Sequence, residues 1–181
     1  GAWDELQEIA ELLQAPVMTT LPGKSSFPEN HPLSLGASAI SVTKQTSHFF
    51  EKADLIFGIG CSFTRTNYGK AIPPGKVMVH STNDPSDVNK DYISHHSLVG
   101  DAKLVLQGLI SEIKDITDGM GHTKNKDVAS EVQSVKKDWL NEWMPQLRSD
   151  ETPINQYRII WDLMHNVDRA NTIVTHDAGS P

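Results

Sequence analysis

The sequence predicts a doubly wound, three-layer α/β domain on a parallel sheet of about six strands. Ala53–Gly60 is a nearly continuous apolar run and Lys76–Ser81 repeats the signal, as expected of strands buried on both faces of a parallel sheet. Between and after such runs lie segments of helical period. The clearest is Ala102–Ile116, which sets Val105, Leu106, Leu109, Ile113 and Ile116 on one face. Alternation of the two periods is the pattern of β–α–β units.

From the N-terminus, Ala2–Gln14 carries Trp3, Leu6, Ile9, Ala10 and Leu13 at spacings of three and four, one apolar helix face. Pro16–Thr20 reads as a strand. Pro22–Pro32 is dense in turn formers and reads as a long loop, ordered or disordered, and a candidate binding element. Thr43–Lys52 can form a helix bearing Phe49 and Phe50, and His96–Val99 gives a short strand before Gly100-Asp101. Asp118–His122 breaks the pattern as a linker. Val128, Val132, Val135, Trp139, Trp143 and Leu147 then mark a long amphipathic helix whose tryptophans need a partner. Thr152-Pro153 reads as an N-cap and first helical position, opening a helix with Tyr157, Ile160, Trp161 and Met164 inward. Asn171–Thr175 reads as a final strand, ending at His176–Gly179. The expected organisation is a Rossmann-like domain over 1–118, a linker and long helix over 119–150, and the start of a further domain over 151–181.

Composition bounds the function. The 181 residues carry a formal charge of -7, are 38% hydrophobic and contain one cysteine. The absence of any basic run argues against nucleic acid. No window approaches the roughly 20 apolar residues that span a bilayer. A lone Cys61 excludes an internal disulfide framework and a cysteine-based zinc site, consistent with a reducing cytoplasm.

Candidate site residues cluster at predicted strand ends. Gly58-Ile59-Gly60 is half of a dinucleotide fingerprint, in which glycines let the backbone approach a pyrophosphate. A tight strand-to-loop turn is the competing reading. Asp84 can accept hydrogen bonds from a ribose, or Asn83-Asp84-Pro85-Ser86 can be a plain turn. Arg65 can pair with a phosphate or remain a solvated loop arginine. Cys61 has no base supplied by sequence logic and reads as packing. His95 and His96, adjacent in a strand, would point to opposite faces and cannot share a metal. His31, His80, His122 and His165 are scattered, so no metal site is expected.

Several of these features, in order, resemble the central domain of the acetolactate-synthase-like, thiamine-diphosphate-dependent family. Ala15–Thr20 resembles its first central strand. Gly23-Lys24 with Phe27-Pro28 and His31-Pro32 through Gly36 resembles the loop that follows. Ala53-Asp54-Leu55 to Gly60 resembles the strand that normally ends in Gly-Ala-Arg, and Val99–Ala102 the turn before the last central helix. Ile154–Val167 and Thr172–Gly179 resemble the opening helix and strand of the domain that holds thiamine diphosphate.

The resemblance implies a parent enzyme that is a decarboxylase, carboligase or synthase of 2-keto acids, using thiamine diphosphate and Mg²⁺, as a homodimer or homotetramer. It implies that the catalytic glutamate and the magnesium-holding segment lie in missing domains of the same chain, so that this chain is a catalytically silent fragment. It places Asp177, Gly179 and Ser180 at the loop touching the cofactor diphosphate, with Ser180 where glutamine is usual. Flavin-binding members carry Gly-Ala-Arg-Phe where this chain has Gly60-Cys61-Ser62-Phe63-Thr64-Arg65, and the usual acidic motif becomes Thr82-Asn83-Asp84-Pro85. An ADP-containing nucleotide, FAD or coenzyme A among them, or no ligand at all, therefore remain the alternatives at Gly58, Gly60, Ser62, Arg65, Asn83 and Asp84. A stand-alone nucleotide-binding Rossmann module without any thiamine connection is the reading outside the family, and a purely structural domain that has lost its ligand is the third.

Overall fold

The computed structural model describes residues 1–39, 41–67, 69–122 and 127–175. By internal contacts the chain divides into two compact units, Gly1–Val135 and Lys136–Pro181, with the division inside one helix.

Unit 1 alternates strands and helices: α1 (Trp3–Leu13), β1 (Val17–Thr20), β2 (Ser34–Ser38), α2 (Lys44–Lys52), β3 (Leu55–Ile59), β4 (Val77–Thr82), β5 (His96–Val99), α3 (Ala102–Ile116) and the start of α4 (Val128–Leu147). Every strand pair is parallel. This is the expected Rossmann-like α/β architecture, with a smaller strand count. Among the described residues there are five strands, in a pair β1–β2 and a triplet β3–β4–β5, rather than about six in one sheet. The expected strand over Asn171–Thr175 is absent from the described residues, and Ile173 is 92% exposed. A strand needs a neighbour to take its N–H and C=O groups, and local β-propensity does not supply one.

The core is built where the helical faces demanded it. Ile9 of α1 and Leu106 and Ile110 of α3 are buried together, with Phe57 and Ile59 of β3 packed against them. Helix α3 begins where Asp101 turns its carboxylate onto the N–H groups of Lys103 and Leu104 at 3.0 and 3.2 Å, satisfying two donors that the helix cannot satisfy itself. The loop between β1 and β2 is ordered by apolar anchors. Phe27 and Leu33 are buried with Ala10, and the His31 ring stands edge-on to Phe27 at 5.0 Å.

Strand β2 carries a bulge at Leu35, because Val17 pairs with Ser34 but Met18 with Gly36. Gly36 has φ +86, a conformation that favours glycine. The Leu35 carbonyl leaves the ladder and meets α2, accepting from Thr46 Oγ1 at 2.9 Å and Gln45 Nε2 at 3.3 Å. Its side chain is buried with Phe49 and Val132.

The first turns of α4 belong to this unit. Glu131 accepts Lys52 Nζ on both oxygens, at 2.7 and 2.8 Å, and lies 2.8 Å from His48 Nε2. These contacts, Lys52's first, hold its carboxyl below the ordinary glutamate range. A depressed folded-state pKa stabilises above the unfolded value and is lost as pH falls through the folded one. Glu131→Gln is therefore expected to cost about 0.5 kcal/mol at neutral pH, the scale of a partly exposed ion pair. The difference from wild type should close below the pKa of the folded carboxyl, as read from urea midpoints across pH.

The segment Asp118–His122 is not a free linker. Gly121 has φ +62 and its Cα lies so near the Leu12 carbonyl that a Cβ would collide with it, while His122 N–H donates to that same oxygen at 2.6 Å.

Unit 2 comprises the rest of α4 and α5 (Gln156–Asn166). The tryptophans of α4 find partners: Trp143 lies 6.1 Å from Trp139 and 5.0 Å from Tyr157. Helix α5 starts three residues later than Thr152-Pro153 suggested. Asn155 is the cap, accepting from Tyr157 N–H at 2.9 Å while its amide donates to Gln146 and Glu151. Tyr157, Ile160 and Met164, expected to face inward, are exposed. Within this unit α4 covers only part of the face.

Candidate functional site at the strand ends

Parallel strands discharge their loops at one edge, and in open α/β sheets that edge is where ligands sit. Here β3, β4 and β5 end together. Gly60 N–H donates to the Ser81 carbonyl and Gly100 N–H to the Thr82 carbonyl, both at 2.9 Å, carrying the ladder one step past each strand.

The two glycines of the half-fingerprint have different tasks. Gly58 is buried within β3 opposite His80, and a Cβ there would collide with Phe63 Cζ and lie 2.7 Å from Cys61 Sγ. Its missing side chain makes room for the chain's own loop. Gly60 has φ +61, with open space where a Cβ would project, so its backbone is the one free for a close approach.

After β4, Asn83 and Asp84 are exposed. The Asp84 carboxylate accepts Ser86 Oγ at 2.7 Å and Ser86 N–H at 2.9 Å, capping the 3₁₀ turn Pro85–Asp87. The Ser86 hydroxyl bond, with the backbone bond behind it, lowers the acid's pKa. The turn reading holds, and its carboxylate stays ionised at the strand edge. Ser62 bonds Thr64 through their hydroxyls at 2.8 Å.

Arg65 turns elsewhere. Its N–H donates to Asp91 at 2.8 Å and its guanidinium stacks 4.6 Å over Tyr92, lining a cleft with Lys76 and His95. Asp177, Gly179 and Ser180 lie outside the described residues.

Two residues at this edge left no trace in the sequence pattern. His80 is fully buried, donates Nε2–H to the Cys61 carbonyl at 2.7 Å and packs 4.7 Å from the Phe63 ring. Phe63 holds φ +46, a left-handed conformation that a bulky residue adopts only under constraint. Burial pushes the Cys61 thiol up, away from nucleophilic use. Among the described residues no group of three or more His, Cys, Asp and Glu side chains is placed to hold a metal ion, and no helix is long and apolar enough to cross a membrane. A larger cavity of about 480 Å³ in unit 2 is lined by one consecutive stretch, Glu151–Tyr157, and gathers no groups from separate elements.

Residues 1–109 match the family described as thiamine pyrophosphate enzyme, central domain. The chain belongs to this family. Relatives extend the likeness past the matched domain. "Probable acetolactate synthase large subunit" of Methanococcus aeolicus is 33% identical over 190 residues, covering 99% of this chain and 31% of that protein. The protein of the same name from Methanocaldococcus jannaschii is 33% identical over 187 residues, covering 99% and 30%. An X-ray structure of an enzyme from Mycobacterium smegmatis, described as thiamin diphosphate-dependent, superposes with a TM-score of 0.52 at 31% identity, over 70% of this chain and 23% of that one. The thiamine pyrophosphate enzyme central domain thus covers residues 1–109 of unit 1, and the chain spans about a third of the length of the curated relatives it matches.

Proposed function

We propose that this chain serves a thiamine-diphosphate- and magnesium-dependent decarboxylase, carboligase or synthase of 2-keto acids, of the acetolactate-synthase type, in a reducing cytoplasm. Residues 1–118 are its central scaffold, 119–150 the connection, and 151–181 the opening of the domain that seats thiamine diphosphate near Asp177, Gly179 and Ser180. The cofactor supplies the carbanion chemistry. The described residues offer no magnesium ligand set, so no step is derived through the metal. By itself the chain is catalytically silent, and the whole enzyme works as a homodimer or homotetramer.

Within the central domain, the strand edge at Gly58, Gly60, Ser62, Asn83 and Asp84 seats an ADP-containing nucleotide, FAD among them. The observation that carries this reading is Gly60: φ +61 with open space beyond it, at the end of β3. A pyrophosphate can approach the backbone closely beside the bare Gly60 Cα, whose own N–H is engaged with the Ser81 carbonyl, and the Asp84 carboxylate one strand over can accept from ribose hydroxyls. Arg65, stacked on Tyr92, takes no part.

A ligand that binds only the folded chain raises its melting temperature. FAD or ADP is expected to raise it, and Gly60→Val to abolish the rise. A rise with FAD alone points to a flavin-retaining synthase. A rise shared by ADP and coenzyme A points to an acyl-CoA-type decarboxylase. No rise with any of them refutes the nucleotide seat and leaves a structural central domain. Turnover of a 2-keto acid by this chain with Mg²⁺ and thiamine diphosphate would refute its catalytic silence.

A further inference from the structure

A second cavity in unit 1, about 270 Å³, opens at the other end of β4 and β5, where the chain enters those strands. Three donors from separate segments line it. Arg65 lays its guanidinium 4.6 Å over the Tyr92 ring. Among the described residues no carboxylate pairs with that fork, since Asp91 takes the Arg65 backbone N–H instead. Lys76 is 9% exposed and donates to the Glu51 and Ala53 carbonyls at 2.8 and 2.6 Å, leaving one of an ammonium's three donors unused. His95 accepts the Met78 N–H on Nδ1 at 3.0 Å, so in the neutral ring the proton sits on Nε2 and remains free to donate. Among the described residues no acidic side chain lines this cleft, in a chain whose net charge is -7. The rest of the lining is largely apolar and includes Ile72 and the exposed Ile93.

We propose that this cleft binds a small organic carboxylate, its carboxyl group on the Arg65 fork and its apolar body against Ile72 and Ile93. A planar guanidinium matches a carboxylate through two parallel hydrogen bonds. Stacking on Tyr92 holds the fork flat before the ligand arrives, which lowers the ordering cost of binding. The apolar walls give an inorganic anion nothing to bury against, and the volume lies below that of drug-sized sites, about 300–1,000 Å³. The cleft stands apart from the strand edge that seats the nucleotide and does not depend on it.

The test is a titration of the ¹⁵N-labelled chain with benzoate, followed by NMR. Saturable shifts at Arg65, Tyr92, Ile93 and His95 are expected, with a Kd in the millimolar range, and Arg65→Gln should weaken binding about ten-fold or more with an unchanged melting temperature. Inorganic phosphate and benzyl alcohol, which supply the charge or the apolar body alone, should leave those resonances in place. Absence of saturable shifts, undiminished binding in Arg65→Gln, or a response to phosphate or benzyl alcohol equal to that of benzoate would each overturn the assignment.

Discussion

Gly58→Ala is expected to lower stability by about 1–3 kcal/mol, the cost of forcing a methyl group into a filled site. The added carbon would meet Phe63 Cζ and sit 2.7 Å from Cys61 Sγ. The phenyl ring cannot easily withdraw, because it lies between His80 at 4.7 Å and Tyr92 at 6.4 Å. Its backbone is already in the left-handed region at φ +46. A displaced Phe63 would uncover His80 and loosen its bond to the Cys61 carbonyl. Urea denaturation should show a lower midpoint with an unchanged slope. Phe63→Leu added to the alanine variant should recover part of the loss, since the two positions share one volume. An unchanged midpoint in Gly58→Ala would mean that the ring is loosely held and that the glycine answers to something else.

Leu106→Ala should cost more, about 2–5 kcal/mol, by leaving a cavity in the cluster that joins α1 and α3 to the larger sheet. Leu106 is 1% exposed and packs with Ile9 and Ile110, over Phe57 and Ile59. A position two residues away on the same helix separates cause from context: Leu104, 69% exposed, should change to alanine within about 0.5 kcal/mol, the ordinary surface range. Thermal or urea unfolding of the pair decides it. Equal effects at the two positions would contradict the packing of α1 and α3 against β3.

What the sequence revealed depended on how local the cause was. Helix α3 was legible to the residue, because Asp101 caps it within its own sequence and the apolar period runs unbroken to Ile116. Strands β3 and β4 announced themselves as apolar runs. Strand β2 did not. Ser34-Leu35-Gly36-Ala37-Ser38 lacks β-branched and aromatic residues and follows a stretch of turn formers. It is a strand because β1 pairs with it and because Leu35 finds Phe49 and Val132, the latter far along the chain. The start of α5 failed for a related reason: Thr152-Pro153 has the local chemistry of a cap, but Asn155 has the partners. At the strand edge, Gly58 and Gly60 were found together by their spacing. Their separation into a packing glycine and an open one depends on Phe63, whose unusual backbone no composition rule foretells. The cleft at Arg65 was equally hidden, since Lys76 and His95 become neighbours only through the sheet.

The bulged carbonyl of Leu35 ties three positions into one evolutionary unit. Thr46 gives its hydroxyl hydrogen to that oxygen at 2.9 Å, and Thr43, 2.9 Å from the Thr46 hydroxyl but 3.4 Å from the carbonyl, donates to Thr46. Gln45 supplies the second hydrogen bond to the carbonyl at 3.3 Å. A carbonyl oxygen has two lone pairs, so losing Thr46 or Gln45 alone leaves it partly satisfied, while losing both leaves it only the longer reach of the Thr43 hydroxyl at 3.4 Å. Drift at Thr43, Gln45 and Thr46 should therefore be epistatic: each substitution is tolerated or not according to which of the other two the lineage has kept.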